Sequence, residues 1–108
     1  MNNELKSKLV ERAKQMSVRA HTKETKIGCS LLTDDNLIFG GCNIQIGERH
    51  ICAGEVTITK AMSEGYIKFV AICLWSKDAQ PYLSTNAHKL LEVICPDIEI
   101  ILTTNKDT

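Results

Sequence analysis

The chain is short of most features that would assign it to a special class. It has no excess of either charge, with 13 Lys plus Arg against 13 Asp plus Glu. Composition therefore gives no argument for nucleic acid or an acidic partner. No apolar run approaches the roughly 18 residues of a membrane span. The opening MNNELKSKLVERAK lacks the apolar segment of a signal peptide. Repeats, low-complexity tracts and linkers are missing as well. With 108 residues, one domain covering 1–108 is expected, small but able to bury a core. The five cysteines, Cys29, Cys42, Cys52, Cys73 and Cys95, are odd in number and scattered through apolar segments. They read as reduced and mostly buried thiols, which places the chain in a reducing, cytoplasmic setting.

What is present is a clear alternation of periods. Leu5, Leu9, Val10, Ala13 and Met16 fall at helical spacing with charges between them, so residues 4–17 are predicted to form an amphipathic helix that covers a sheet. A polar loop without Gly or Pro, 19–26, leads into a β-branched and apolar strand at 27–33. Asp34, Asp35 and Asn36 supply turn chemistry, and 37–44 returns as the second arm of a hairpin. A helix over about 52–64 stops at Gly65. Residues 69–75 form a nearly continuous apolar run, as expected of a strand buried on both faces. Pro81 marks a loop, 86–93 has helical spacing, Pro96-Asp97 turns the chain, and 98–103 is a last strand. The order α-β-β-α-β-α-β describes an α/β fold with a mixed sheet and helices packed on it.

One stretch, IFGGCNIQIGERHICAGEVTITKAMSEGY from Ile38 to Tyr66, carries a resemblance. It is similar to the strand, loop and metal-bearing helix of the cytidine deaminase family, in which G-C-N-I-E ends a strand, C-A-E opens a helix and A-x-S-E-G-Y closes it. The resemblance covers about 27–103 and is most specific from Gly40 to Gly65. It implies a three-layer α-β-α sandwich around a mixed central sheet. It also implies a zinc-activated water and a carboxylate, not itself a ligand, that moves the protons. Members commonly form dimers and tetramers, so a homo-oligomer or pairing with a paralogue is implied, together with a nucleoside ligand. The chain stops where the family continues into a fifth strand and a last helix, which would leave the fourth strand as an edge needing cover.

The chemistry of that frame is depleted here. Cys52 and Ala53 stand in C-A-E, but Gly54 holds the place of the catalytic Glu. Glu55 is a poor substitute, because the next helical residue leaves the axis about 100° away. The family's second element, P-C-G-x-C-R-Q, aligns best with S-T-N-A-H-K-L. This puts Ser84 at the Pro, Thr85 at the first Cys and His88 at the second. Cys52 and His88 then make two ligands, one short of a catalytic zinc site. His50 is a candidate surrogate, although a polar loop histidine is ordinarily just exposed; His21 is weaker still. Asn43 and Gln45 match the N-x-E that holds the ribose hydroxyls, with an amide replacing the charged acceptor. Thr25 replaces the aromatic that packs on the pyrimidine. The expectation is a catalytically inactive relative with a binding or assembly role and no cofactor. The alternative is an active deaminase or other hydrolase with a non-standard zinc site of Cys52, His88 and a surrogate ligand.

Overall fold

In the computed structural model, which describes residues 1–105, six strands and three helices follow one another as α1 (Asn3–Ser17), β1 (Ile27–Thr33), β2 (Ile38–Cys42), β3 (Ile44–Ile46), β4 (Arg49–Ile51), α2 (Ala53–Ser63), β5 (Phe69–Ser76), α3 (Thr85–Ile94) and β6 (Glu99–Thr104). The main sheet has the order β2-β1-β5-β6. β1 is antiparallel to both neighbours, and β5 runs parallel to β6. The sheet is therefore mixed, and α3 is the crossover that a parallel pair requires.

The period-2 pattern of the two central strands divides the core. Cys29 and Leu31 of β1 join Ile72 and Leu74 of β5 on one face, under Ala53, Ile58 and Ala61 of α2 and Ala87 and Leu91 of α3. Leu32, Ala71, Cys73 and Trp75 point the other way, toward Leu9 and Ala13 of α1. Helices thus lie on both faces, giving the three-layer α-β-α arrangement. α1 begins at Asn2, whose Oδ1 accepts from the Leu5 amide at 2.8 Å. It lies close on β1 because Gly28 has no side chain: a Cβ there would overlap the carbonyl oxygen of Ala13. Buried Ser30 is satisfied by donating to the Leu9 carbonyl at 2.6 Å.

The expected strand at 37–44 is two elements. β2 ends at Cys42, and Ile44–Ile46 leaves the main sheet to pair with Arg49–Ile51 in a two-stranded ribbon. Asn43 stands at the departure. Its Oδ1 accepts from the Ile27 amide at 2.9 Å and its Nδ2 donates to the Thr25 carbonyl at 2.8 Å. Gly47, at φ 61°, makes the tight return between the two short strands. The same ribbon carries the chain into the N-terminus of α2.

Among the described residues β6 has one strand partner, β5. Ile100 and Leu102 sit opposite Ile72 and Leu74, on the side covered by α2 and α3, yet each is 39% exposed. No described helix is long and apolar enough to cross a membrane.

Candidate functional site

Two helices begin face to face at the C-terminal end of the ribbon and the loop after β5. Cys52 is the N-cap of α2, its Sγ accepting from the Glu55 amide at 3.4 Å. Ser84 is the N-cap of α3, its Oγ accepting from the Ala87 amide at 3.2 Å. The two capping atoms lie 2.7 Å apart and hydrogen-bond to each other. A serine suits this position because its hydroxyl competes well for an orphan helix amide. The sulfur is the unusual cap, held by the ribbon that delivers Ile51 and Cys52.

Behind this pair the space is closed. Gly54, Ala53, Leu83 and Ala87 are buried. A Cβ on Gly54 would stand 3.0 Å from Leu83 Cδ1 and 3.1 Å from Ala87 Cβ, tighter than ordinary van der Waals contact. In front lies a cavity of about 330 Å³, bordered by Thr25, Asn43, His50, Cys52, Glu55, Tyr82, Ser84 and Asn86 among others. The described lining residues include Glu24 and Glu55 and no Lys or Arg, so its charge does not favour a phosphate.

The structure gathers some of the sequence candidates and separates others. Cys52, Gly54, Glu55, Asn43, His50 and Thr25 all border the cavity. Thr85 and His88 are exposed on α3 and do not border it. The residue against Cys52 is Ser84, one position earlier than the expected Thr85. Gln45 does not line the cavity either. Its Oε1 accepts from Thr22 Oγ1 at 3.2 Å and the Lys23 amide at 3.1 Å, and its Nε2 donates to the Gly47 carbonyl at 3.1 Å. Asn43 and Gln45 thus spend their amides on the protein's own backbone and on Thr22. Sequence reasoning missed both this bracing role and the part played by Ser84. A signal existed for the second: Leu83, Ala87 and Leu91, at i, i+4 and i+8, mark the inward stripe of α3.

The remaining thiols are structural. Burial pushes Cys29 and Cys73 up to about 12, against smaller lowering influences from Thr57 and Ser30 respectively. Burial also raises Cys42, opposed by Arg19 and Lys60. Cys95 closes α3, with its Sγ accepting from the Phe69 amide at 3.2 Å and reaching the Ile67 carbonyl at 3.4 Å.

These residues do not fit a catalytic zinc. Such a site takes three protein ligands and leaves one position for water. Here one thiol faces a hydroxyl and, behind it, a methyl group. His50 and Glu55 border the same cavity without converging on Cys52: among the described residues no group of three His, Cys, Asp or Glu side chains is placed to hold a metal ion.

The comparisons with known proteins nevertheless agree with one another on ancestry. Residues 3–86 match the family described as the cytidine and deoxycytidylate deaminase zinc-binding region. A probable cytidine deaminase of Dictyostelium discoideum is 36% identical over 80 residues, which are 70% of this chain and 54% of that protein. The chain thus spans about half the length of that relative. A crystal structure of cytidine deaminase from Burkholderia pseudomallei superposes with a TM-score of 0.85 at 24% identity, covering 98% of this chain and 87% of that one. Cytidine deaminase from Mycobacterium tuberculosis gives 0.77 at 20% identity, covering 87% and 81%. At these identities the structures speak for the fold, whereas the family match covers most of the sequence. The chain belongs to the cytidine and deoxycytidylate deaminase family.

Proposed function

We propose that this chain keeps the deaminase fold as a binding and assembly module and does not deaminate nucleosides. The observation that carries the reading is Gly54, a position without a side chain and closely flanked by Leu83 and Ala87. Hydrolytic deamination needs a carboxylate beside the activated water. At that position the chain has no side chain, and a Cβ there would press on Leu83 Cδ1 at 3.0 Å and Ala87 Cβ at 3.1 Å. Glu55 borders the cavity but leaves α2 on another face. The alternative, an unorthodox zinc site from Cys52 and His88, loses its support because His88 is exposed and away from the cavity.

Assembly is favoured by the outer position of β6, which pairs only with β5 among the described residues. An edge strand with Ile100 and Leu102 half exposed is a ready template for another chain. Its partner in this reading is a second copy or a paralogue. Size-exclusion chromatography with light scattering, run alone and with a candidate paralogue, is expected to show a species heavier than one chain. A clean monomer in both runs would count against assembly.

The catalytic half of the reading is tested by ultraviolet-monitored turnover of cytidine and deoxycytidine. No conversion is expected. Conversion to the uracil product at a rate abolished by Cys52→Ala would overturn it.

A further inference from the structure

We propose that α2 and α3 are joined in this chain by a metal-free contact standing where the family holds zinc, and that Ser84 and Ala87 mark the two vacated ligand positions. This deepens the reading of an inactive site but is tested by metal, not by turnover.

The zinc deaminases supply two thiolates from a C-x-x-C at the start of a helix, facing a third ligand from another helix. Two ligands three residues apart share one face of a helix. In this chain the pair on α3 that faces α2 is Ser84 and Ala87. Ser84 Oγ is 2.7 Å from Cys52 Sγ, and the Ala87 methyl is 3.1 Å from where a Gly54 Cβ would stand. The pair Thr85 and His88 keeps the same spacing one residue later and points to solvent. The register is fixed by the apolar stripe: Ala87 and Leu91 are buried in the cluster under α2, so the helix cannot turn Thr85 and His88 inward without exposing both.

What replaces the ion can also be named. A metal ties two helix starts together through charged ligands. Here each start is satisfied by its own N-cap, and the two caps meet in one hydrogen bond. Gly54, Leu83 and Ala87 then close the space behind them with apolar contact. Small residues permit this approach, since Gly54 presents no side chain to the Ala87 methyl. The contact needs no ion to neutralise thiolates, because only one sulfur is present.

The experiment uses the full chain, with Co²⁺ titration followed by the sulfur-to-cobalt absorption and with zinc measured by elemental analysis. Wild type is expected to remain metal-free. The variant Ser84→Cys/Ala87→Cys is expected to bind about one Co²⁺ per chain and to lose that binding when Cys52→Ser is added. The register control, Thr85→Cys/His88→Cys, is expected to bind none at the same metal concentration. Stoichiometric metal on the wild type that disappears with Cys52→Ser would overturn the proposal. Binding by the register control but not by Ser84→Cys/Ala87→Cys would overturn it too.

Should the double variant fail to fold, Ser84→Cys alone tests the same contact. Diamide should oxidise Cys52 and the new thiol to a disulfide, taking up their two protons and two electrons, and the free-thiol count should fall by two. A thiol count unchanged by diamide would refute the contact. Metal on the wild type without turnover would sink this proposal and leave the function reading standing; turnover by metal-free protein would do the reverse.

Discussion

Restoring the missing carboxylate should break the fold locally before it could help the chemistry. Consider Gly54→Ala first. Alanine improves the helix by about 0.8–1.0 kcal/mol. Against this, its Cβ stands 3.0 Å from Leu83 Cδ1 and 3.1 Å from Ala87 Cβ. The Leu83 tip can turn aside cheaply, but Ala87 Cβ is fixed to the α3 backbone, so α3 must yield by a few tenths of an ångström. Overpacking of this kind costs about 1–3 kcal/mol. The balance is a loss of about 1 kcal/mol. Gly54→Glu adds the same clash and then a carboxylate whose stem must pass Leu83 and Ala87 to reach the cavity that Gly54 borders. An uncompensated buried charge, or the deformation needed to carry it to the cavity, brings the loss to about 3 kcal/mol or more. For a domain of this size that lowers the Tm by roughly 12 °C or more. Urea denaturation, with the slope checked for constancy, measures both. A cycle with Ala87→Gly should show coupling of about 0.5–2 kcal/mol with Gly54→Ala, because both act on one contact. If Gly54→Glu were as stable as wild type, Leu83 and Ala87 would not crowd this position, and a carboxylate could stand there.

Other positions give independent tests. Gly28→Ala places a methyl on the Ala13 carbonyl and should cost about 3 kcal/mol or more, read as a lower urea midpoint; a change under about 0.5 kcal/mol would contradict the close docking of α1. Asn43→Ala removes the two hydrogen bonds that hold 25–27 and should cost about 1–3 kcal/mol, with faster amide exchange at Ile27; unchanged exchange there would refute the brace. Cys29 and Cys73 are raised to about 12 from an ordinary 9.0, so above pH 9 the unfolded chain gives up thiol protons that the folded chain retains. Stability should therefore be intact below pH 9 and fall toward pH 12 by up to about 1.4 kcal/mol per pH unit for each thiol. Cys29→Ala/Cys73→Ala should flatten that slope, and an unchanged slope would rule these thiols out as its source.

Much of the fold was legible because burial follows period. The apolar run at 69–75 and the stripe from Leu5 to Met16 became β5 and α1 within a residue or two. The ribbon was not legible, because its strands are three residues each and follow Asn43, an amide whose long-range partners no local pattern reveals. The site was legible in part. Cys52 and Gly54 stand where the C-A-E resemblance put them, at a helix start. In the second half, letter matching put Thr85 and His88 at ligand positions, whereas packing turns Ser84, Ala87 and Leu91 toward α2. Asn43 and Gln45 matched a ligand-binding pattern while their hydrogen bonds went to the protein's own loops, a distinction that only distances can draw.

The placement of Trp75 has a practical consequence. The chain has one tryptophan; it is buried in the α1 cluster, with Lys14 Nζ 5.8 Å from its ring centroid. Its fluorescence is therefore a gauge of a single layer, sensitive to whether α1 is seated and blind to direct contact at the opposite face. A ligand or partner engaging the cavity would leave the emission spectrum unchanged unless its effect crossed the sheet, so a silent titration in that channel says nothing about the other side. Read beside a probe on α3, the same silence becomes informative, because it separates events that remain on one face from those that reach both.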